Sequence, residues 1–429
     1  MSFKLKLTQL HYIFLLYRYK NDKTWADYLY MNVGGKYMKK LSIIIGIIIL
    51  FTMSNLPMIH AEENKLEKEV AKEAKAALLL ERDSGKVLYE KNPHEKLPPA
   101  SMTKIMTLLL VMEALEEEKI TLKDNVTISE YAASMGGSQV FLAAGEQMTV
   151  KDLLKAVAIA SANDASVALA EEVAGSEAAF VKMMNEKLTE LNLENSHFEN
   201  TSGLPSEKHY STAYDMGIIA KELLKYEEII EYTKTYEDYL RKGEENEFWL
   251  VNTNKLVRSS PYVDGLKTGY TSEAKYCLTA TANKDDMRVV SVVMGAEDVK
   301  TRNKVTMNLI DMAYSQYTSE KLYKKDEVVG KLALLHTEEN EYKVVTSEPI
   351  SLLQEKGKKQ NTEWDGDVRL GEVNKLPVKK GESVGKIQIK QDKEIVHESD
   401  VYVEKPIEKA SFKTLWTRSL GYITKFHEK

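Results

Sequence analysis

The strongest constraint on this chain lies near its start. Residues 41–53 are an apolar run of 13 residues set directly behind Met38-Lys39-Lys40. A charged lead, a short apolar core and the small residue Ala61 ahead of Glu62-Glu63 make the pattern of a secretory signal, residues 38–61, cleaved after Ala61. The alternative is a permanent membrane anchor. To reach a span of about 20 residues it would have to recruit Ser54, Asn55 and Pro57. The fold therefore has to be built outside the cytoplasm, from residue 62 onward. Residues 1–37 precede the signal and match no targeting pattern. They read as an upstream extension, with the true start at Met38 and Gly34-Gly35-Lys36 as a translated ribosome-binding sequence.

Export sets the chemistry available. Cys277 is the one cysteine, so neither an intrachain disulfide nor a Cys-based zinc site can staple the fold. The eight histidines are scattered without an H-E-x-x-H, and no metal or cofactor is called for. Residues 1–61 hold 8 of the 59 Lys+Arg and 2 of the 65 Asp+Glu, which leaves 62–429 at 51 against 63, a charge of −12. An acidic chain is a poor partner for nucleic acid. With 43% hydrophobic and 29% charged residues over 429 positions, two or three globular domains are expected.

Residues 62–75 are charged and Ala-rich, a spacer. Apolar runs at 77–80 and 86–89 flank Arg82-Asp83-Ser84-Gly85, a β-hairpin pattern. Pro98-Pro99 then opens a helix through Met106, Leu109, Leu110, Met112 and Leu115. Helices follow at 150–173, interrupted at Ser161, and at 178–191 and 214–224. Strands return at 276–282 and 289–294, and a helix at 307–314. This order predicts an α+β domain with a helical insertion over 76–317. Short strands at 328–335, 342–346, 384–389 and 401–403 predict a small all-β domain over 326–405, with 318–325 as the junction. In 407–429, Phe412, Leu415, Trp416, Leu420, Ile423 and Phe426 fall on one helical face, with Lys413, Arg418 and Lys425 outside it. That is a basic amphipathic helix suited to an anionic membrane surface, or else a helix packed on its own protein.

Three short motifs carry chemistry. In Ser101-Met102-Thr103-Lys104 the serine and lysine are one helical turn apart and share a face. A serine hydroxyl needs a base to become a nucleophile, and a lysine serves if burial or nearby cations lower its pKa. Ser161-Ala162-Asn163 breaks an apolar helix with small polar groups that can face a cleft. Lys267-Thr268-Gly269 follows Val263-Asp264-Gly265-Leu266. There the lysine and threonine can hold a carboxylate, and the glycine can admit a substrate backbone along an edge strand. Alone, each has a bland reading: a capping serine, a helix–helix turn, a strand start. No histidine lies beside a motif in sequence.

Together, in this order and at separations of 60 and 106 residues, they resemble the motif set of penicillin-binding proteins and β-lactamases, with Ala162 where an Asp is usual. Over 70–405 the chain resembles the serine-type D-alanyl-D-alanine carboxypeptidases. The likeness includes the runs 99–107, Asn200-Thr201-Ser202-Gly203-Leu204-Pro205, 210–213 and 263–271. It implies a penicillin-binding fold, an antiparallel sheet with helices plus a helical lobe. It implies Ser101 as acylated nucleophile, Lys104 as its base and Ser161 as proton relay, with Asn163 holding the peptide amide and Lys104. Lys267 and Thr268 would take the substrate carboxylate, beside Gly269. The N–H groups of Ser101 and Tyr270 would form the oxyanion hole, and Arg302 would stand near the site. The implied partners are peptidoglycan pentapeptides ending in D-Ala-D-Ala and β-lactam antibiotics. An endopeptidase would use the same residues. A β-lactamase with a deacylating glutamate is disfavoured because the E-x-x-L-N pattern is absent: Leu191-Asn192 has Leu188 at the required position. A non-catalytic envelope scaffold would need a defect that the motifs do not show.

Overall fold

The structure is a computed structural model that describes residues 70–357, 363–373, 375–391 and 393–425. The upstream extension, the signal segment, most of the spacer and Phe426 lie outside the described residues.

A five-stranded antiparallel sheet organises the first domain. Its strands are β1 (Ala76–Glu81), β2 (Val87–Lys91), β3 (Val263–Thr271), β4 (Lys275–Lys284) and β5 (Met287–Ala296), in the order β2-β1-β5-β4-β3. Strand β1 is buried on both faces, which is why its sequence is a continuous apolar run rather than an alternating one. Leu78 and Leu80 face the helical lobe, whereas Ala77 and Leu79 pack under a C-terminal helix. The chain reaches β3 only after the whole lobe has been inserted between β2 and β3, the mixed order expected from the sequence.

The lobe is built round α1 (Lys104–Glu116), in which ten of thirteen residues are buried. A helix apolar all round belongs at a centre. Against it pack α2 (Asn163–Ala174), α3 (Glu177–Glu190) and α4 (Ala213–Leu223). Two small hairpins, 125–127 with 147–149 and 237–240 with 248–251, carry no sequence signal strong enough to separate them from loops. The helix expected at 307–314 is α5 (Val299–Gln316), begun by an Asp298 cap that accepts from Thr301 N at 2.8 Å.

The second domain contains β6 (Tyr317–Tyr323), β7 (Val328–Ala333), β8 (Glu341–Thr346), β9 (Ile350–Glu355), β10 (Trp364–Leu370), β11 (Ser383–Gln391) and β12 (Glu394–Val403). Strands β6 and β9 form a two-stranded sheet, and the other five are ordered β7-β8-β12-β11-β10. The stretch 318–325, expected as a junction, is largely strand β6. Its polar and charged side chains hid a ladder made by the backbone. Helix α6 (Phe412–Lys425) closes the chain. Among the described residues no helix is long and apolar enough to cross a membrane.

Candidate active site

The site lies where the edge strand β3 meets the start of α1. A 3-10 turn, Ala100–Thr103, carries Ser101 and hands over to α1 at Lys104. The expected helix start is thus a tighter turn that puts Ser101 just ahead of the regular helix. Strand β3 approaches this turn very closely. A Cβ on Gly269 would lie 2.7 Å from the Pro99 carbonyl oxygen and 3.2 Å from Ala100 Cβ. The glycine expected to admit a substrate also lets the strand dock on the serine's own turn.

Lys104 is fully buried. Its Nζ is 2.6 Å from Asn163 Oδ1, 2.7 Å from the Ser202 carbonyl and 3.2 Å from Ser101 Oγ. The Asn163 amide cannot be turned round, because its Nδ2 donates to the Gly136 carbonyl at 2.6 Å. Burial, then repulsion from Lys267, hold the Lys104 pKa well below its ordinary value, with Asp164 pulling the other way. A neutral amine has two N–H donors and one lone pair. Two pure acceptors, Asn163 Oδ1 and Ser202 O, use both donors. In that neutral form the lone pair is left for Ser101, whose hydroxyl can donate to it, whereas an ammonium would donate its third N–H to Ser101 Oγ. The arrangement prepares Ser101 Oγ to lose a proton.

Ser202 was legible only as part of the Asn200–Pro205 run. Asn200 Oδ1 accepts from Ser202 N at 3.2 Å and Gly203 N at 2.7 Å, folding that run into a turn. Thr201 O accepts from Thr107 and Ser166 hydroxyls, tying it to α1 and α2.

Ser161 ends a π-helical segment, Ala156–Ala160, in the left-handed conformation at φ 65°. Such segments and strained residues concentrate at functional sites, and here the break turns the chain so that Asn163 can begin α2. The Ser161 hydroxyl takes no part in the hydrogen bonds joining Ser101, Lys104 and Asn163. Across the site, Lys267 is buried, and its Nζ donates to the Thr268 carbonyl at 3.0 Å. Burial, then the Arg302 guanidinium, push its pKa down to about 7. Arg302 bonds its neighbour Asn303 rather than a motif residue, so it meets the site through its charge. Tyr270 leaves its ring exposed against Tyr276, centroids 4.4 Å apart.

Two residues escaped the sequence reading. Thr253 accepts from Thr268 Oγ1 at 2.8 Å, and its N–H donates to the Ile159 carbonyl at 3.2 Å. It thereby joins the third motif to the segment that carries the second. The histidine said to be missing beside a motif is His209, with Nε2 2.8 Å from Thr103 Oγ1. Its Nδ1 accepts from Glu199 N, so a neutral ring carries its proton on Nε2. Burial first pushes its pKa down to about 4. Both nitrogens are in use, which makes it a strut, not a base. Neither residue belonged to a recognisable pattern. Among the described residues, no three His, Cys, Asp or Glu side chains converge as a metal site requires.

A serine one turn from a buried lysine whose pKa is held well below its ordinary value, set between an antiparallel sheet and a helical lobe, is the arrangement of a serine acyl-transfer hydrolase. The comparisons agree. The D-alanyl-D-alanine carboxypeptidase model matches residues 62–298, and the model for the penicillin-binding protein 5 C-terminal domain matches 317–409. The chain is 50% identical to the D-alanyl-D-alanine carboxypeptidase DacF of Bacillus subtilis over 91% of its own length and all of that protein's. It is 34% identical to DacC of Escherichia coli over 83% and 89% of the two chains. Penicillin binding protein 5 from Haemophilus influenzae superposes with a TM-score of 0.60 at 30% identity, covering 79% of this chain and 98% of that one. The chain belongs to the D-alanyl-D-alanine carboxypeptidase family of serine peptidases, and its activity is that of a serine D-Ala-D-Ala carboxypeptidase.

Gly203, at φ 83°, tests the geometry. A Cβ there would lie 1.8 Å from the Ala100 carbonyl oxygen. Gly203→Ala must therefore displace the Ser101 turn, and strain of this kind costs on the order of 1–3 kcal/mol. The expected result is a lowered melting temperature together with at least about tenfold slower labelling by fluorescent penicillin. Unchanged labelling would show that the turn does not depend on this contact.

Proposed function

We propose that Ser101 is the nucleophile and Lys104 its general base, and that the enzyme removes the terminal D-alanine from peptidoglycan stem pentapeptides. The observation that carries this reading is the hydrogen-bonding of Lys104, whose two carbonyl partners leave only Ser101 to its lone pair. Ser101 attacks the penultimate carbonyl, and Lys104 takes its proton. Ser161 passes a proton to the departing D-alanine nitrogen, while Asn163 holds the substrate amide and Lys104. The oxyanion rests on the N–H groups of Ser101 and Tyr270. Water then hydrolyses the ester. A β-lactam acylates the same serine and leaves it slowly.

Lys267 and Thr268 receive the substrate's terminal carboxylate, with Gly269 beside them and Arg302 adding positive potential behind. In support, Lys267 and Arg302 are both buried, and among the described residues neither has a salt bridge. Buried cations without a counter-charge are costly unless an anion arrives.

The sequence limits are a catalytic domain over 76–317, a β-rich domain over 326–405 and a membrane-surface helix over 407–429; strand β6 extends the β-rich domain back to 317, and Ile407 and Ala410 extend it forward. After export through segment 38–61 the enzyme works at the outer face of the cytoplasmic membrane. Phe412, Trp416 and Leu420 are exposed on α6, and the first two rings stack at 6.2 Å. Arg418 is not free for lipid as its place outside the apolar arc suggested. Its guanidinium donates to the Thr337 carbonyl at 2.7 Å and also to the Glu338 carbonyl. The arginine fastens the helix to the β-rich domain and leaves the apolar face outward.

Ser101→Ala should abolish penicillin labelling and lower D-alanine release by a factor on the order of 10⁴ or more. Lys104→Ala should do nearly the same. Label retained on the Ser101 variant would place the nucleophile elsewhere.

A pH profile tests the lysines. In the free enzyme Lys267 is charged below about 7 and neutral above it, and only the charged form draws a carboxylate. Therefore kcat/KM should fall as pH rises through about 7. In kcat the same limb should lie at higher pH, since a bound carboxylate favours the ammonium. Lys104 must be neutral, so its protonation supplies the acid limb. A kcat/KM flat from pH 6 to 9 would remove Lys267 from the carboxylate site.

Deleting 411–429, a cut that spares Ile407 and Ala410 in the β-rich domain, should release the protein from membranes with soluble activity intact. Each large apolar side chain lifted from water contributes roughly 1.5–3 kcal/mol. A truncated protein that still sediments with membranes would point to an uncleaved segment 38–61.

A further inference from the structure

A cleft of about 220 Å³ adjoins the Ser101 turn on the side away from Lys267. Three segments wall it: 96–100, the 203–210 loop, and Thr271 with Glu273 just beyond β3. Its charged groups are Glu207, Glu273 and Lys96. Both carboxylates are solvent-exposed and, among the described residues, neither has an ion pair or hydrogen bond. Lys96 is already engaged, its ammonium 4.7 Å from the centre of the Tyr210 ring. His209, which also lines the cleft, is neutral. The cleft is thus left with net negative charge.

Strand β3 is a ruler along this surface. From Lys267 to Thr271 it advances four residues, roughly 13 Å in extended backbone. A peptide laid along the open edge of β3, its terminal carboxylate at Lys267 and Thr268, is extended too, at about 3.3–3.6 Å per residue. Its penultimate carbonyl then meets Ser101 near Gly269 and Tyr270. The residue before D-Ala-D-Ala comes level with Tyr270 and Thr271, at the mouth of the cleft. In stem peptides that position holds a diamino acid, whose side chain ends in an amine.

We infer that this cleft is the subsite for that side chain, with Glu207 and Glu273 facing its ammonium. The inference rests on the carboxypeptidase reading of the site and adds the feature by which the enzyme selects its acyl donor. The apolar walls Pro98, Pro99 and Leu204 suit the methylene stem.

The test compares Nα-acetyl-L-Lys-D-Ala-D-Ala, with its ε-amine free, against the Nα,Nε-diacetyl peptide. Wild type should prefer the free amine in kcat/KM by about three- to tenfold at low salt, the scale of two solvent-exposed ion pairs. The ratio should fall towards one at 0.5 M salt (roughly the regime in which such pairs are screened), and likewise in the Glu207→Gln, Glu273→Gln double variant. A wild-type ratio of one or below, a ratio indifferent to salt, or one that survives in the double variant overturns the subsite. The salt series needs only wild-type protein, so it decides the matter even if the variant fails to fold. If both peptides lose D-alanine at equal rates, only the subsite falls. If neither loses it, the carboxypeptidase reading itself fails.

Discussion

The site depends on a buried amine that has more partners than donors. Lys104 sits where water cannot reach, and a charged ammonium there would be expensive. Two carbonyl-type oxygens take the hydrogens a neutral amine can give. Each of those oxygens is itself fixed, one by the Asn163 bond to Gly136, the other by the Asn200 turn that presents Ser202. Much of the lobe can be understood as scaffolding for these two acceptors. The π-helical segment ends at Ser161 so that Asn163 can open α2, and Thr107 and Ser166 clamp Thr201 beside it.

The same economy of charge operates across the cleft. Arg302 repels Lys267, Lys267 in turn presses on Lys104, and among the described residues neither Lys267 nor Arg302 has a salt bridge. Asp164, the nearby acid, is committed to the backbone N–H groups of Val140, Leu142 and Ala165. One cluster of buried cations thus lowers the Lys104 pKa on one side and leaves positive potential on the other.

Much of this was legible in the sequence, for identifiable reasons. The five-stranded sheet announced itself through β1, β4 and β5, whose apolar runs are long. The three motifs were visible because each needs particular side chains at fixed spacing. What escaped was whatever works through the backbone or through distant pairing. Strand β6 is polar in sequence and held by its ladder. The Ser202 carbonyl has no side-chain signature, and Thr253 is an ordinary threonine until the fold brings it to Thr268. His209 lies 106 residues from Thr103. Gly269 was read for the right property, the missing Cβ, but one neighbour that needs the space is the protein's own turn. Arg418 was read by its place on a helical wheel, which cannot show that three carbonyls wait opposite it.

Strand β3 has a ladder partner on one side only. An unpaired sheet border invites a second copy of the chain to add its own strand, the usual start of unwanted self-association. The Ser101 turn packs on the face of β3 at Gly269, beside that border. A long strand from another molecule has to pass the bulk of this turn, whereas a short peptide end needs only a few residues of the border. The contact that positions the serine therefore also restricts, by size alone, what may pair with the sheet.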